Sequence, residues 1–103
     1  MVIYGLKACD TCRKAVKATG ADLRDIRADP LSLAEIQRFV AAFGAEIVNR
    51  RSTTWRGLSE AERAMNEAAL IAAHPAVMKR PVIEVEGALY LGWTADVRAA
   101  LGV

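Results

Sequence analysis

Residues 1 to 20, MVIYGLKACDTCRKAVKATG, constrain the fold of this chain more than any other stretch. The segment opens with a short apolar run closed by Gly5, the pattern of a buried strand. From Thr11 the period changes. Cys12, Ala15, Val16 and Thr19 fall three or four apart, as on one face of a helix, and Gly20 supplies a stop. The only two cysteines, Cys9 and Cys12, stand at the junction with two residues between them. A strand followed at once by a helix predicts the first half of a βαβ unit.

The remaining segments extend that pattern. ADLRDIRA, residues 21–28, reads as the second strand, with Leu23 and Ile26 buried. In residues 32–44, Ser32 and Glu35 have capping-box spacing, Ile36, Phe39, Val40 and Phe43 form one stripe, and Gly44 ends the helix. Residues 45–57, AEIVNRRSTTWRG, have no clean period and read as a short helix passing into a loop. Residues 59–75 read as one helix that starts at a second capping box, Ser59 to Glu62, and is closed by Pro75. Its expected inner face is small: Ala61, Met65, Ala68, Ala69 and Ala72. VIEV and ALYLGW flank Glu86-Gly87, a two-residue turn of the kind that joins antiparallel strands. A short helix capped by Thr94 ends the chain. The order is strand, helix, strand, helical insert, hairpin, helix, an α/β pattern with a βαβ unit first and a ββα unit last. At 103 residues this is expected to be one domain, residues 1–103.

Composition removes several function classes. Fourteen Lys and Arg against 12 Asp and Glu leave a formal charge of +2, too little for the broad basic face that direct nucleic-acid binding needs. No apolar run reaches the ~18 residues of a membrane span, so no membrane role is expected. The start of the chain lacks the basic-then-apolar plan of a signal peptide, which makes the cytoplasm the expected location. Structural disulfides rarely persist there, so the cysteine pair points to a transient disulfide or a metal. A structural zinc takes four ligands, and two cysteines with His74 do not supply them. No metal and no tightly bound cofactor are expected.

The place of the C-x-x-C pair then carries the chemistry. It lies past a strand and opens a helix, the thioredoxin-like arrangement. The unpaired N–H groups of a first helical turn present partial positive charge, which favours a thiolate at Cys9. Cys12, one turn on, is within reach of a disulfide. Cys9 is therefore the expected attacking thiolate and Cys12 the resolving thiol. Lys7 and Arg13 stand nearby and add positive potential, against the plainer reading of solvated surface charges. The plainer reading of the cysteines is two buried small side chains.

Taken together, VIYGLKACDTCRKA, NRRSTTWRGL and HPAVMKRPVIEVEGALYLGW resemble the arsenate reductase (ArsC) / Spx family from end to end, and the STTWR wording is nearest to its small ArsC-like thiol reductase branch. The resemblance implies a thioredoxin-like fold with a helical insertion between the βαβ and ββα units. It implies that Cys9 is the nucleophile, Cys12 the second cysteine of the Spx motif, Arg80 the arginine beside the active site, and Pro81 a cis proline facing the cysteines. Arg13 matches the arginine one turn into the first helix. The expected activity is thiol–disulfide oxidoreduction with glutathione or glutaredoxin as partner and a small anionic or disulfide substrate. Arg51 with Arg80 would grip a carboxylate of glutathione. The alternative is an Spx-like redox switch that binds RNA polymerase.

Departures from the pattern weigh against true arsenate reduction. Gly5 stands where the arsenate reductases carry a histidine, and Asn49 and about Gly92 stand where two oxyanion-binding arginines are expected. Trp55 and Trp93 read as loop anchors before substrate walls. His74 reads as a capping or packing residue, and Glu35, Glu60 and Glu62 as helix-start charges.

Overall fold

In the computed structural model, which describes residues 1–103, β1 (Val2–Gly5) has strands on both sides in a four-stranded sheet of order β2-β1-β3-β4. From β1 the chain runs through α1 (Asp10–Thr19) to β2 (Asp22–Asp25), which lies parallel to β1. Four helices follow: α2 (Leu33–Phe43), α3 (Thr53–Arg56), α4 (Glu60–Arg63) and α5 (Glu67–Ala73). β3 (Val82–Val85) then returns antiparallel to β1, β4 (Ala88–Leu91) pairs antiparallel with β3, and α6 (Ala95–Leu101) completes the chain. This is the expected α/β order, a βαβ unit and a ββα unit separated by a helical insertion. No helix is long and apolar enough to cross a membrane.

The chain forms two compact units, Met1–Asp29 with Arg80–Val103, and Pro30–Lys79. In the first, side chains alternate across the sheet as strand geometry requires. Ile3 and Ile83 turn to one face and bury themselves with Ala15 of α1, and Leu23, Val85, Trp93, Val97 and Leu101 pack around them. Trp93 is thus a packing residue of this core. Tyr4 takes the opposite direction, where its hydroxyl donates to Glu84 Oε1 at 3.0 Å and the Arg24 guanidinium lies 5.6 Å over its ring. The hairpin turn works because Glu86 (φ 49°) and Gly87 (φ 85°) both enter the left-handed region that a primed turn demands.

In the second unit α2 begins with the full capping box: Ser32 Oγ accepts the Glu35 N–H at 3.1 Å, and Glu35 Oε1 accepts the Ser32 N–H at 2.9 Å. The helix packs on α5, and Ile36, Phe39, Leu70 and Ile71 are buried in this unit.

Two sequence expectations need correction here. Residues 59–75 are not one helix. The chain breaks after Arg63, and Asn66 turns extended (φ −67°, ψ 161°) so that its side chain accepts the Ala69 N–H at 2.8 Å. Asparagine competes poorly for a helix interior and well for a cap, so it starts a new helix. The restarted helix turns Leu70 and Ile71 inward and leaves Ala69 and Ala72 exposed, as Ala61 is in α4, while Met65 and Ala68 are half-buried, so the expected small-residue face is not the buried one. Burying two large aliphatic side chains is worth about 1.5–3 kcal/mol each, which an alanine face cannot match.

Residues 45–57 begin as the expected short helix passing into a loop and depart from it only further on. A 3-10 turn over Gly44–Ile47 gives way to an extended Val48 that bridges Met78, with the Asn49 N–H on Val77 O (2.8 Å) and the Lys79 N–H on Ile47 O (2.7 Å). A helical turn, α3, then follows the loop, capped by Ser52. Trp55 lies in α3 with the guanidinium groups of Arg50 and Arg63 over its ring at 5.3 and 5.7 Å, so it anchors this segment through stacked cations. His74 Nε2 meets Glu62 Oε2 at 2.7 Å while Glu62 Oε1 caps Ser59, which ties the end of α5 to the start of α4.

Candidate active site

The site grows from the end of β1. Its chain turns through Leu6 to Ala8, closed by a bond from the Cys9 N–H to Leu6 O (3.0 Å), and Cys9 then takes the N-cap position of α1 with extended backbone (φ −84°, ψ 118°). Its carbonyl accepts the first helical bond, from the Arg13 N–H at 3.0 Å. The turn is pinned from β2. Gly5 is the register partner of Asp25, which brings that carboxylate to the Lys7 N–H (2.9 Å), while its other oxygen accepts from the N–H groups of Arg27 (2.9 Å) and Ala28 (3.2 Å). The Lys7 amide, joined by the Arg27 and Ala28 amides and the Lys7 charge, outweighs the opposing desolvation and holds the Asp25 carboxyl below the usual aspartate range. Asp25 is a supporting residue that the sequence reading did not single out. An aspartate at a strand end beside a tight turn was the available signal.

Antiparallel pairing sets the opposite wall. Because Tyr4 pairs with Val82, the residues that enter β3 lie beside those that leave β1. These are Arg80 and Pro81, joined by a cis peptide bond as the resemblance implied. Pro81 is fully buried, and its carbonyl accepts the Gly92 N–H at 2.8 Å.

The two thiols are reduced and live in different surroundings. Cys9 is half-buried, and burial alone would raise its pKa. The Cys12 amide and thiol and the Arg80 guanidinium outweigh that and bring it below its ordinary value. Cys12 has no exposed surface, and burial pushes its thiol up to about 12. The Leu6 amide and Arg80 pull it down and the adjacent Cys9 pushes it further up. One sulfur therefore ionises more readily than an ordinary thiol, and its neighbour is held as a protonated thiol within hydrogen-bonding reach.

What makes room for Cys12 is Gly5. A Cβ added there would collide with Cys12 Sγ and stand 3.2 Å from Cys12 Cβ. Sequence reading noted Gly5 as the close of the first strand and as a departure from the family pattern, not as a contact of Cys12. The close approach of α1 to β1 is a tertiary fact without a local signature.

Of the expected site residues, the structure brings Cys9, Cys12 and Arg80 together, with Pro81 next to Arg80 in the chain. Arg13 forms an exposed ion pair with Asp10. Arg51 is exposed in the other compact unit, where it lines an open hollow of about 650 Å³ with Glu46, Val48, Asn49, Arg50 and Lys79. No group of three or more His, Cys, Asp or Glu side chains is placed to hold a metal.

Comparison with known proteins places this geometry among relatives. The family model described as the ArsC family matches residues 4–101. An uncharacterised protein of Haemophilus influenzae is 34% identical, with 90% of each chain covered. Among solved structures, the YffB (PA3664) protein is similar at 36% identity and a TM-score of 0.85 over 96% of each chain. An arsenate reductase (ArsC) related protein from Brucella melitensis is similar at 30% identity and a TM-score of 0.72, covering 99% of this chain and 94% of that one.

Proposed function

The chain belongs to the ArsC family, and from that premise we propose that it is a thiol–disulfide oxidoreductase using glutathione as reductant. The observation that supports this most is the pairing of a half-exposed Cys9, capping α1 beside Arg80, with a buried Cys12 one turn further on.

In the proposed cycle the Cys9 thiolate attacks one sulfur of a small disulfide. A Cys9 mixed disulfide forms, and the other half leaves as a thiolate. Loss of the Cys9 charge removes one of the influences that hold the Cys12 thiol protonated, so Cys12 then gives up its proton more readily. Its thiolate attacks Cys9 Sγ, forms the Cys9–Cys12 disulfide and releases the second thiol. Two glutathione molecules return the pair to the dithiol, ending as glutathione disulfide. Arg80 steadies the negative charge on Cys9 first and on Cys12 second, since its guanidinium lowers the pKa of both. Pro81 follows Arg80 in the chain, and an anionic substrate at Cys9 would meet the Arg80 guanidinium beside it. A reducing compartment such as the cytoplasm suits this cycle.

The test is mass spectrometry of wild type and Cys12→Ser after exposure to glutathione disulfide. A glutathione adduct on Cys9 that is transient in wild type and persists in Cys12→Ser is the expected result. Wild type and Cys12→Ser both free of adduct, with full-length protein still folded, would overturn the reading.

A further inference from the structure

Gly5 does more than end a strand. Its hydrogen lies where α1 crosses β1, and the space that any larger residue would fill is already taken by the Cys12 thiol. Rotating the thiol away does not solve the conflict, because Cys12 Cβ, fixed by the helix backbone, would itself be 3.2 Å from the new carbon. Such a separation is tighter than ordinary van der Waals contact, so both the helix and the sulfur would have to shift. The backbone of Gly5 has little freedom to yield. It holds register with Asp25 on the β2 side, and its carbonyl accepts the Ile26 N–H at 2.9 Å. The niche is therefore closed by a strand that is tied in place.

We propose that Gly5 is a positioning residue for the resolving step: by having no side chain it gives Cys12 Sγ a buried seat from which that sulfur reaches Cys9, and it thereby commits the chain to two-thiol chemistry. This rests on the oxidoreductase reading above. The step it governs is the attack of the Cys12 thiolate on Cys9 Sγ. The Cys12–Cys9 bond forms, the bond from Cys9 to the glutathione sulfur breaks, and glutathione leaves with the electron pair. The Cys12 proton passes to solvent. Disulfide formation requires a restricted approach of the two sulfurs, with Cβ atoms about 3.5–4.5 Å apart, so a sulfur displaced from its seat loses the line of attack. The first step, on Cys9, uses a half-exposed sulfur outside the niche and no bond to Cys12 Sγ, so it depends on Gly5 far less than the second.

The experiment compares wild type, Gly5→Ala, Cys12→Ala and the double variant Gly5→Ala/Cys12→Ala. Each is treated with glutathione disulfide and followed for the lifetime of the Cys9 adduct and for melting temperature. In Gly5→Ala the adduct is expected to form at a rate within about threefold of wild type and then to outlive the wild-type adduct by at least tenfold. Gly5→Ala is also expected to cost several degrees of melting temperature when Cys12 is present, and less than half as much in Cys12→Ala, where the colliding sulfur is gone. A purely structural role would leave the adduct lifetime alone. If Gly5→Ala fails to fold while the double variant folds, the steric coupling stands in its strongest form. An adduct that resolves at the wild-type rate overturns the proposal whatever the melting temperatures. If no variant forms an adduct at all, the oxidoreductase reading falls instead, and the difference in thermal loss still decides whether Gly5 and Cys12 compete for one space.

Discussion

The starts of α1 and α2 face the same physical problem and meet it in opposite ways. Each first turn presents amide groups with no partner inside the helix. At α2 the Ser32 oxygen and the Glu35 carboxylate close a reciprocal box on those amides. α3, α4, α5 and α6 use Ser52, Ser59, Asn66 and Thr94 in the same position. At α1 the N-cap is Cys9, with no oxygen cap. A missing oxygen cap costs about 1 kcal/mol of stability. What α1 keeps is a positive end that favours a sulfur anion. The other helix starts are closed by oxygen caps that add stability, and under the proposed function this one is left for reactivity.

The largest expected effect follows from exchanging one solution for the other. Cys9→Ser puts the preferred oxygen cap on α1 and removes the proposed nucleophile. Turnover with a small disulfide should fall at least about a thousandfold, while the melting temperature holds or rises. A variant that loses activity only by unfolding would break the comparison.

Ser32→Ala makes the converse change at α2. It should cost about 1 kcal/mol, a drop of roughly 4–8 °C in a domain of this size, with turnover and thiol titration as in wild type. A shift in thiol titration would mean that the two helix starts are not independent.

The smallest effect concerns the carboxylate that pins the turn before Cys9. The folded-state pKa of Asp25 lies below its ordinary 3.8, so its stabilisation is complete above that value and is lost as pH falls through the folded one. Asp25→Asn keeps one oxygen acceptor, so its melting temperature should lie only slightly below wild type, by a constant gap above about pH 5 that narrows below about pH 4. A gap that widens on acidification would have the wrong sign.

What was legible in the sequence was local. The strand before the cysteines, the helix after them, two capping boxes and the Glu86-Gly87 turn each write their physics into four to six neighbouring residues. The break at Asn66 was hidden, because an asparagine between two alanine-rich stretches reads as a polar face of one continuous helix. Only the inward turn of Leu70 and Ile71 shows that the cap prevails. Cys9 was recognisable from spacing and position. Arg80 was not, because it lies far along the chain and reaches Cys9 only through antiparallel β1–β3 pairing; a family resemblance supplied it. The niche behind Gly5 had no signal of its own, since it exists only in the distance between a strand and a helix.

The most direct measurement is the rate of Cys9 alkylation as a function of pH, in wild type and in Arg80→Met, with an unperturbed thiol run alongside. The wild-type midpoint should lie below that of the reference thiol, and the Arg80→Met midpoint should move back up toward it. A wild-type midpoint at or above the reference would contradict the claim that the start of α1 and Arg80 together hold a thiolate.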